Sequence, residues 1–146
     1  VHQGNGTADL LLNYLNVFTL SLHSTRNYPH RKAHSDIDVG FPDGTGDSHY
    51  LSVFSETLDH AIEYSKPDFV FFLAGADIFS GDRLGRLDLS KSGIRQRDEM
   101  FFSKFDLKRT NIAVVMGGGY APEIEDIVDI HFETIKSAVK ALYGTT

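Results

Sequence analysis

Three short and nearly continuous apolar runs divide the chain. They cover residues 17–22 (VFTLSL), 69–74 (FVFFLA) and 112–116 (IAVVM), and a weaker run covers residues 37–41. Strands of a parallel sheet have this composition when helices cover the sheet, because both faces of each strand are then buried. The pattern therefore predicts three strong strands and a fourth, weaker one.

Apolar side chains recur at helical spacing in the segments between and after these runs. The first stripe is Leu51, Phe54, Leu58 and Ile62, the second is Ile94, Phe101 and Phe105, and the third is Ile124, Ile127, Val128, Ile135 and Leu142. Ser90 is expected to cap the second helix, and Pro122 falls near the first turn of the third. Strands that alternate with helices predict an α/β fold, with a parallel sheet and helices on both faces.

The composition excludes several classes of protein. The chain of 146 residues has a net charge of −6 and no cysteine, which excludes disulfides, thiolate metal sites and a cysteine nucleophile. No basic block indicates nucleic-acid binding, and no apolar run approaches the roughly 20 residues that span a bilayer. The expectation is a cytoplasmic protein that binds neither nucleic acid nor membrane.

Three loops with unusual composition bring chemistry to the predicted strand ends. Gly75-Ala76-Asp77 follows one strand, Gly117-Gly118-Gly119-Tyr120 follows another, and the chain opens on the glycine-rich segment Val1–Thr7, which contains His2. Ligands bind beyond the carboxyl ends of strands in open α/β sheets. A His and an Asp suit zinc, although a catalytic zinc takes three protein ligands. A Tyr presented on a glycine run suits the role of oxyanion donor.

These segments, in this order, carry a resemblance to a known family. VHQGNGT, LAGADIFSGDRLG and MGGGYAPEIED resemble the histone-deacetylase superfamily, most closely its bacterial and class IV branch, and the resemblance covers essentially all 146 residues. It implies the carboxy-terminal half of an arginase/deacetylase-like fold, so that residues 1–146 are one part of a single domain truncated on its N-terminal side. It further implies that His2 and Asp77 bind one catalytic Zn²⁺ and that Tyr120 stabilises the tetrahedral intermediate. The family's remaining ligand, an Asp expected directly before Val1, and its tandem His pair are expected upstream.

The resemblance implies roles for further residues. They are Asn5 as partner of a catalytic His, Tyr28 and Leu84 as walls of the acyl-lysine tunnel, Gly118 and Gly119 as substrate-binding residues, and Ser21 and Leu22 as ligands of a monovalent cation, K⁺. Many family members carry Asp at the position of Asn5, and an amide orients an imidazole without adding negative charge. Tyr28 and Leu84 are equally explained as ordinary loop residues, and Ser21 as a strand residue satisfied by the backbone. The remaining histidines are expected to be surface or packing residues.

The activity implied is hydrolysis of a linear amide, which releases acetate or another acid and a free amine. The substrate is expected to be an acylated lysine peptide or a small acylated amine. An arginase-type ureohydrolase is disfavoured, because its second metal needs a carboxylate where this chain has Phe79. A catalytically inactive fragment, or a binding module of the same fold, is the alternative from another class. Unpaired apolar strands lead us to expect self-association of the chain in isolation.

Overall fold

The computed structural model describes residues 1–144. Its elements in chain order are α1 (Asn5–Leu11), β1 (Leu20–Ser24), β2 (Ile37–Phe41), α2 (Asp47–Ser65), β3 (Phe69–Gly75), α3 (Lys91–Ser103), β4 (Asn111–Gly117) and α4 (Ile124–Tyr143). This alternation of parallel strands and helices confirms the predicted α/β class. None of the helices in residues 1–144 combines the length and the apolar character that crossing a membrane requires.

The four strands form two parallel pairs. β1 pairs with β2 in a ladder that ends with Ser24 opposite Phe41. β3 pairs with β4 in a ladder that ends with Gly75 opposite Gly117. Within residues 1–144 no ladder joins the two pairs to each other. Since the strands of each pair are parallel, the loops that leave β3 and β4 start side by side at one edge.

The core lies between β3 and the helices that follow β2 and β3. Phe72 of β3 stacks on Phe101 of α3 with ring centroids 3.8 Å apart, and Phe102 meets Phe72 edge-on at 6.0 Å. Tyr50 and Phe54 bring α2 into the same buried cluster. Burial of each such side chain stabilises the fold by about 1.5–3 kcal/mol. This packing fixes β3 and, with it, the loop that follows.

The opposite face of β3 is open in the part of the chain that the structure describes. Phe69, Phe71 and Leu73 are each more than half exposed, whereas the alternate residues Phe72 and Ala74 are buried. Successive side chains of a strand point to opposite faces, so α3 covers the Phe72 face only. Within the predicted α/β arrangement, the described residues leave this one face of β3 without a covering helix.

Helix α4 carries its apolar residues on an exposed face. Ile130, Thr134 and Ser137 are its buried residues. Thr134 Oγ1 donates to Asp98 Oδ2 of α3 at 2.6 Å, and Ile130 joins the core on the same side, so this side of α4 packs on α3. The apolar residues left exposed are Ile124, Val128, Phe132, Ile135, Val139 and Leu142. The predicted stripe is present, but most of it does not face the core.

The start of β1 and the opening segment differ most from what the sequence pattern predicts, whereas β3 and β4 differ by no more than one residue at each end. β1 begins at Leu20 rather than Val17, because Asp36 Oδ2 accepts both the main-chain N–H and the Oγ1 hydroxyl of Thr19 at 2.7 and 2.8 Å. The Thr19 N–H is therefore bonded to a side chain instead of to a neighbouring strand, and the ladder starts at the next residue. The glycine-rich opening is also not all loop, since α1 begins at Asn5. The cap of α3 is confirmed: Ser90 Oγ accepts the N–H of Gly93 at 3.0 Å.

We expect the chain of residues 1–146 to self-associate in solution. The open face of β3 and the exposed stripe of α4 are apolar surfaces of the kind that marks interaction sites on soluble proteins. Replacing Val128 and Phe132 together by lysine should shift the chain towards monomer, because both are more than half exposed and lie one turn apart on α4. Molar mass measured by light scattering against concentration checks this. Lys136→Gln, also on exposed α4 surface, is the control, and a monodisperse wild-type monomer would contradict the prediction.

Candidate active site

His2 and Asp77 lie together at the carboxyl end of β3. Asp77 is the second residue after β3 and is buried, and its Oδ2 lies 3.0 Å from His2 Nδ1. Its Oδ1 accepts a hydrogen bond from the main-chain nitrogen of Val1 at 2.6 Å. The Val1 carbonyl accepts the N–H of Ser24 at 2.9 Å, so the opening segment runs between the ends of β1 and β3. The structure therefore places His2 beside Asp77, as the sequence predicts.

The donor atoms of this pair suit one zinc ion. Zinc takes His nitrogen and carboxylate oxygen as ligands, and His2 Nδ1 and Asp77 Oδ2, which lie 3.0 Å apart, would hold the ion. The set is incomplete, because no group of three or more metal-binding side chains occurs among residues 1–144. Phe79, at the position of the second carboxylate in a two-metal site, is packed against the core. The described residues thus offer part of a one-metal site.

The loop after β4 packs directly on the Asp77 carboxylate. The Ala76 N–H donates to the Gly117 carbonyl at 2.9 Å, which continues the β3–β4 pairing into the loops. Gly118 has φ +70°, and a Cβ on it would lie 2.5 Å from Asp77 Cγ. Gly119 has φ +117°, and a Cβ there would lie 2.9 Å from Ile127 Cδ1. Glycine at position 118 lets the loop lie against Asp77, and glycine at position 119 lets it lie against Ile127. The predicted part of both glycines in substrate binding stays a prediction.

Tyr120 follows these glycines with its side chain 57% exposed. Its main chain is fixed although its phenol is free to meet a ligand. The N–H of Tyr120 donates to Asp82 Oδ2 at 2.5 Å, and its carbonyl accepts from Arg83 Nε at 3.1 Å. Tyr120 therefore lies two residues after Gly118, whose backbone packs against the Asp77 carboxylate.

Asp82 and Asn27 are the residues around the site that sequence reasoning missed. Asn27 is buried, and its Nδ2 donates to the Leu84 carbonyl at 2.7 Å while its Oδ1 accepts the N–H of Arg86 at 3.1 Å. Asp82 Oδ1 accepts the N–H of Leu84 at 2.8 Å. Asn27 directly precedes Tyr28, so the two predicted tunnel walls, Tyr28 and Leu84, are tied together. Both wall side chains are exposed.

The predicted cation ligands Ser21 and Leu22 lie in β1. Ser21 Oγ lies 3.1 Å from Nδ1 of the buried His23, so this hydroxyl has a side-chain partner rather than the backbone one considered from sequence. Burial lowers the pKa of His23, and the nearby Asp38 carboxylate opposes that shift. His23 is thus a buried packing residue. The K⁺ assignment to Ser21 and Leu22 stays a prediction.

Asn5 is the first residue of α1 and is half-buried. It lies three residues after His2, with the buried Gln3 between them. Gln3 Nε2 donates to the Ala33 carbonyl at 2.9 Å and to Asp38 Oδ1 at 2.8 Å, which anchors the opening segment next to β2. The expected role of Asn5 as partner of a His stays a prediction, since that His is expected upstream of the chain.

Known proteins resemble this chain in sequence. The family model described as histone deacetylase domain matches residues 1–135. An uncharacterized protein of Picosynechococcus sp. is 40% identical over 131 residues, which cover 90% of this chain and 44% of that protein. Histone deacetylase 2 of Arabidopsis thaliana is 34% identical over 122 residues, which cover 82% of this chain and 32% of that protein. The chain thus spans less than half the length of these relatives.

Solved structures share the fold. An acetylpolyamine aminohydrolase from Burkholderia pseudomallei superposes with a TM-score of 0.81 at 16% identity, covering 96% of this chain and 43% of that one. The HD domain of HDA15 superposes with a TM-score of 0.76 at 26% identity, covering 99% of this chain and 45% of that one. The first shows the fold alone. Since the family model extends over nearly the whole chain, this protein belongs to the histone deacetylase family.

Proposed function

We propose that this chain forms part of a zinc-dependent amide hydrolase that removes acetyl or other acyl groups from an amine such as acyl-lysine. One observation carries the proposal: His2 Nδ1 and Asp77 Oδ2 lie 3.0 Å apart, next to the glycine loop that presents Tyr120. His2 and Asp77 would hold the ion, with a further ligand from outside the described residues. Membership of a family of deacetylases supports the reaction type.

The residues of this chain have separable tasks in such a reaction. Zinc, when bound, polarises the amide carbonyl and lowers the pKa of water. The exposed phenol of Tyr120 donates a hydrogen bond to the oxygen that becomes negative as the amide carbon turns tetrahedral. Gly118 and Gly119 lack side chains, so an acyl group can approach the loop closely. Tyr28 and Leu84 would flank the entry for the substrate's aliphatic stem, and Ser21 and Leu22 would hold K⁺.

The proposed reaction also needs a general base and a general acid, and the described residues place no such side chain beside His2 and Asp77 apart from these two. His2 is assigned to the metal, and Asn5 is suited to orient an imidazole rather than to move a proton. The tandem His pair that the family resemblance implies would fill that task. We therefore expect the isolated chain of residues 1–146 to have no appreciable deacetylase activity.

A second candidate, a catalytically inactive member of the fold or a binding module, is favoured by one observation. Residues 1–144 bring no third metal-binding side chain to His2 and Asp77. A site with two protein ligands holds zinc weakly, and without zinc the carbonyl is not activated. On this alternative, the loops around Tyr28, Leu84 and Tyr120 would bind an acylated amine without cleaving it.

Expression from the complete open reading frame separates the two candidates. The protein should release acetate from an acetyl-lysine peptide or from an acetylated polyamine. A chelator should abolish the release, and added Zn²⁺ should restore it. Turnover on only one of the two substrates would identify the class of amine. The hydrolase proposal fails if the protein holds stoichiometric zinc and binds the acylated peptide but releases no acid from either substrate.

A further inference from the structure

Both main-chain groups of Tyr120 are held by two successive residues of the loop after β3. Asp82 Oδ2 accepts the Tyr120 N–H at 2.5 Å. Arg83 donates to the Tyr120 carbonyl twice, from Nε at 3.1 Å and from its main-chain N–H at 3.3 Å. Gly118 and Gly119, which precede Tyr120, add little stiffness of their own. The contacts with Asp82 and Arg83 therefore set the point from which the phenol extends.

The other carboxylate oxygen of Asp82 holds the loop that bears a predicted tunnel wall. Asp82 Oδ1 accepts the N–H groups of Leu84 and Gly85 at 2.8 and 2.7 Å. All three hydrogen-bond partners of this 9% exposed residue are donors, which an acceptor-only carboxylate matches. A Cβ on Gly85 would lie 2.0 Å from the Asp77 carbonyl oxygen, so this turn presses on the main chain of the metal ligand.

We propose that Asp82 is a positioning residue for the reaction, which fixes the Tyr120 phenol relative to the Leu84 wall and to the metal ligand Asp77. It touches none of the reacting groups and acts through the main chain of Tyr120. The inference rests on the proposed function, in which Tyr120 is the oxyanion donor. Because one carboxylate binds both loops, a change at Asp82 displaces the phenol and the tunnel wall together.

Asp82→Asn tests this with little change in size. The amide keeps one acceptor oxygen and turns an NH₂ towards the other N–H donors. The variant therefore loses either the hydrogen bond to Tyr120 or those to Leu84 and Gly85. In the protein expressed from the complete open reading frame, kcat should fall by about 10²-fold, the cost of misplacing a catalytic group by about 1 Å. KM should rise by a smaller factor than kcat falls, because the phenol acts on the transition state and only the displaced Leu84 wall affects substrate binding. The Tyr120 amide should exchange hydrogen for deuterium about tenfold faster or more.

Asp88→Asn is the matched control. Asp88 lies in the same loop and is exposed, and the substitution also removes one negative charge. It should leave kcat, KM and the Tyr120 exchange rate as in wild type. Arg83→Met is a second variant, which removes the Nε donor from an exposed side chain and should not impair folding. It should lower kcat several-fold in the same direction and leave KM unchanged.

The possible outcomes distinguish this inference from the proposed function. If Tyr120→Phe abolishes turnover while Asp82→Asn and Arg83→Met retain wild-type kcat and exchange, Asp82 does not position Tyr120 and the hydrolase proposal stands. If Asp82→Asn does not fold, a wild-type kcat in Arg83→Met overturns the inference, and a reduced kcat at constant KM supports it. If no variant and no wild-type protein turns over substrate, the proposed function fails. Unchanged hydrogen exchange at the Tyr120 amide in Asp82→Asn would then also overturn the inference that Asp82 holds the Tyr120 main chain.

Discussion

Tyr120→Phe should lower kcat by about 10²–10³-fold in the protein expressed from its complete open reading frame, the cost of removing one oxyanion donor. The phenol is exposed towards solvent while its main chain is held by Asp82, so the substitution removes a hydroxyl and disturbs no buried contact. KM should stay within a few-fold, because the hydrogen bond strengthens only as the carbonyl oxygen becomes negative. Steady-state kinetics on the better of the two acylated substrates measures both constants.

Tyr143→Phe provides the control for that measurement. Tyr143 ends α4 and is 77% exposed. Its replacement by phenylalanine removes the same phenolic hydroxyl. It should leave both kinetic constants unchanged. An equal fall in kcat for the two variants would mean that the hydroxyl of Tyr120 has no specific role in the reaction. A rise in KM at constant kcat for Tyr120→Phe would assign Tyr120 to substrate binding instead of to the transition state.

Gly118→Ala should disrupt the proposed metal site in the protein expressed from its complete open reading frame, although it adds only a methyl group. The backbone there has φ +70°, which a residue with a Cβ adopts at a cost of about 1–3 kcal/mol. The methyl would also lie 2.5 Å from Asp77 Cγ and 2.6 Å from its Oδ2. The Asp77 carboxylate must then turn away from His2. We expect zinc affinity to fall by about 10–100-fold, as when the support of a metal ligand is removed.

Gly117→Ala separates local crowding from a general effect of alanine in this loop. A Cβ on Gly117 meets no atom within 4 Å, and this glycine ends β4 directly before Gly118. Its zinc affinity and thermal unfolding temperature should match the wild type. Isothermal titration with Zn²⁺ and a thermal melt report the two effects independently. Equal zinc affinities for the two alanine variants would contradict the close approach of Gly118 to Asp77.

Chemistry-bearing residues at strand ends could be identified from sequence, because apolar runs mark where parallel strands stop. The ends of the runs at 69–74 and 112–116 placed Asp77 and Tyr120 on adjacent loops, and the structure has Gly75 opposite Gly117. The position of His2 beside Asp77, 75 residues away, followed from the family resemblance and is seen in the structure. The prediction for Asp77 and Tyr120 succeeds because the register of β3 and β4 determines that the two loops meet.

The residues that hold the loops could not be found in the same way. Asp82 lies in an ordinary polar loop, and its importance arises only when folding brings the Tyr120 N–H to it across 38 residues. Asn27 is likewise one amide in a polar segment until Leu84 approaches it. The orientation of α4 was also hidden, because its packed side combines Ile127 and Ile130 with the buried Thr134–Asp98 hydrogen bond, while most of the apolar stripe is exposed. Tertiary hydrogen bonds leave no periodic pattern in a sequence.

The division of the strands into two pairs affects how the protein should respond to heat. His2 belongs to the segment that leads into α1 and the β1–β2 pair, whereas Asp77 and Tyr120 extend from the β3–β4 pair. Within the described residues, the pairs share side-chain packing in the core and loop contacts such as that of Asn27 with Leu84, but no ladder of main-chain hydrogen bonds. Parts of a protein joined by few bonds open before the whole unfolds. In the chain of residues 1–146, loss of the contact between His2 and Asp77 on warming should therefore precede the cooperative melting of α2, α3 and α4, and should be reversible on cooling.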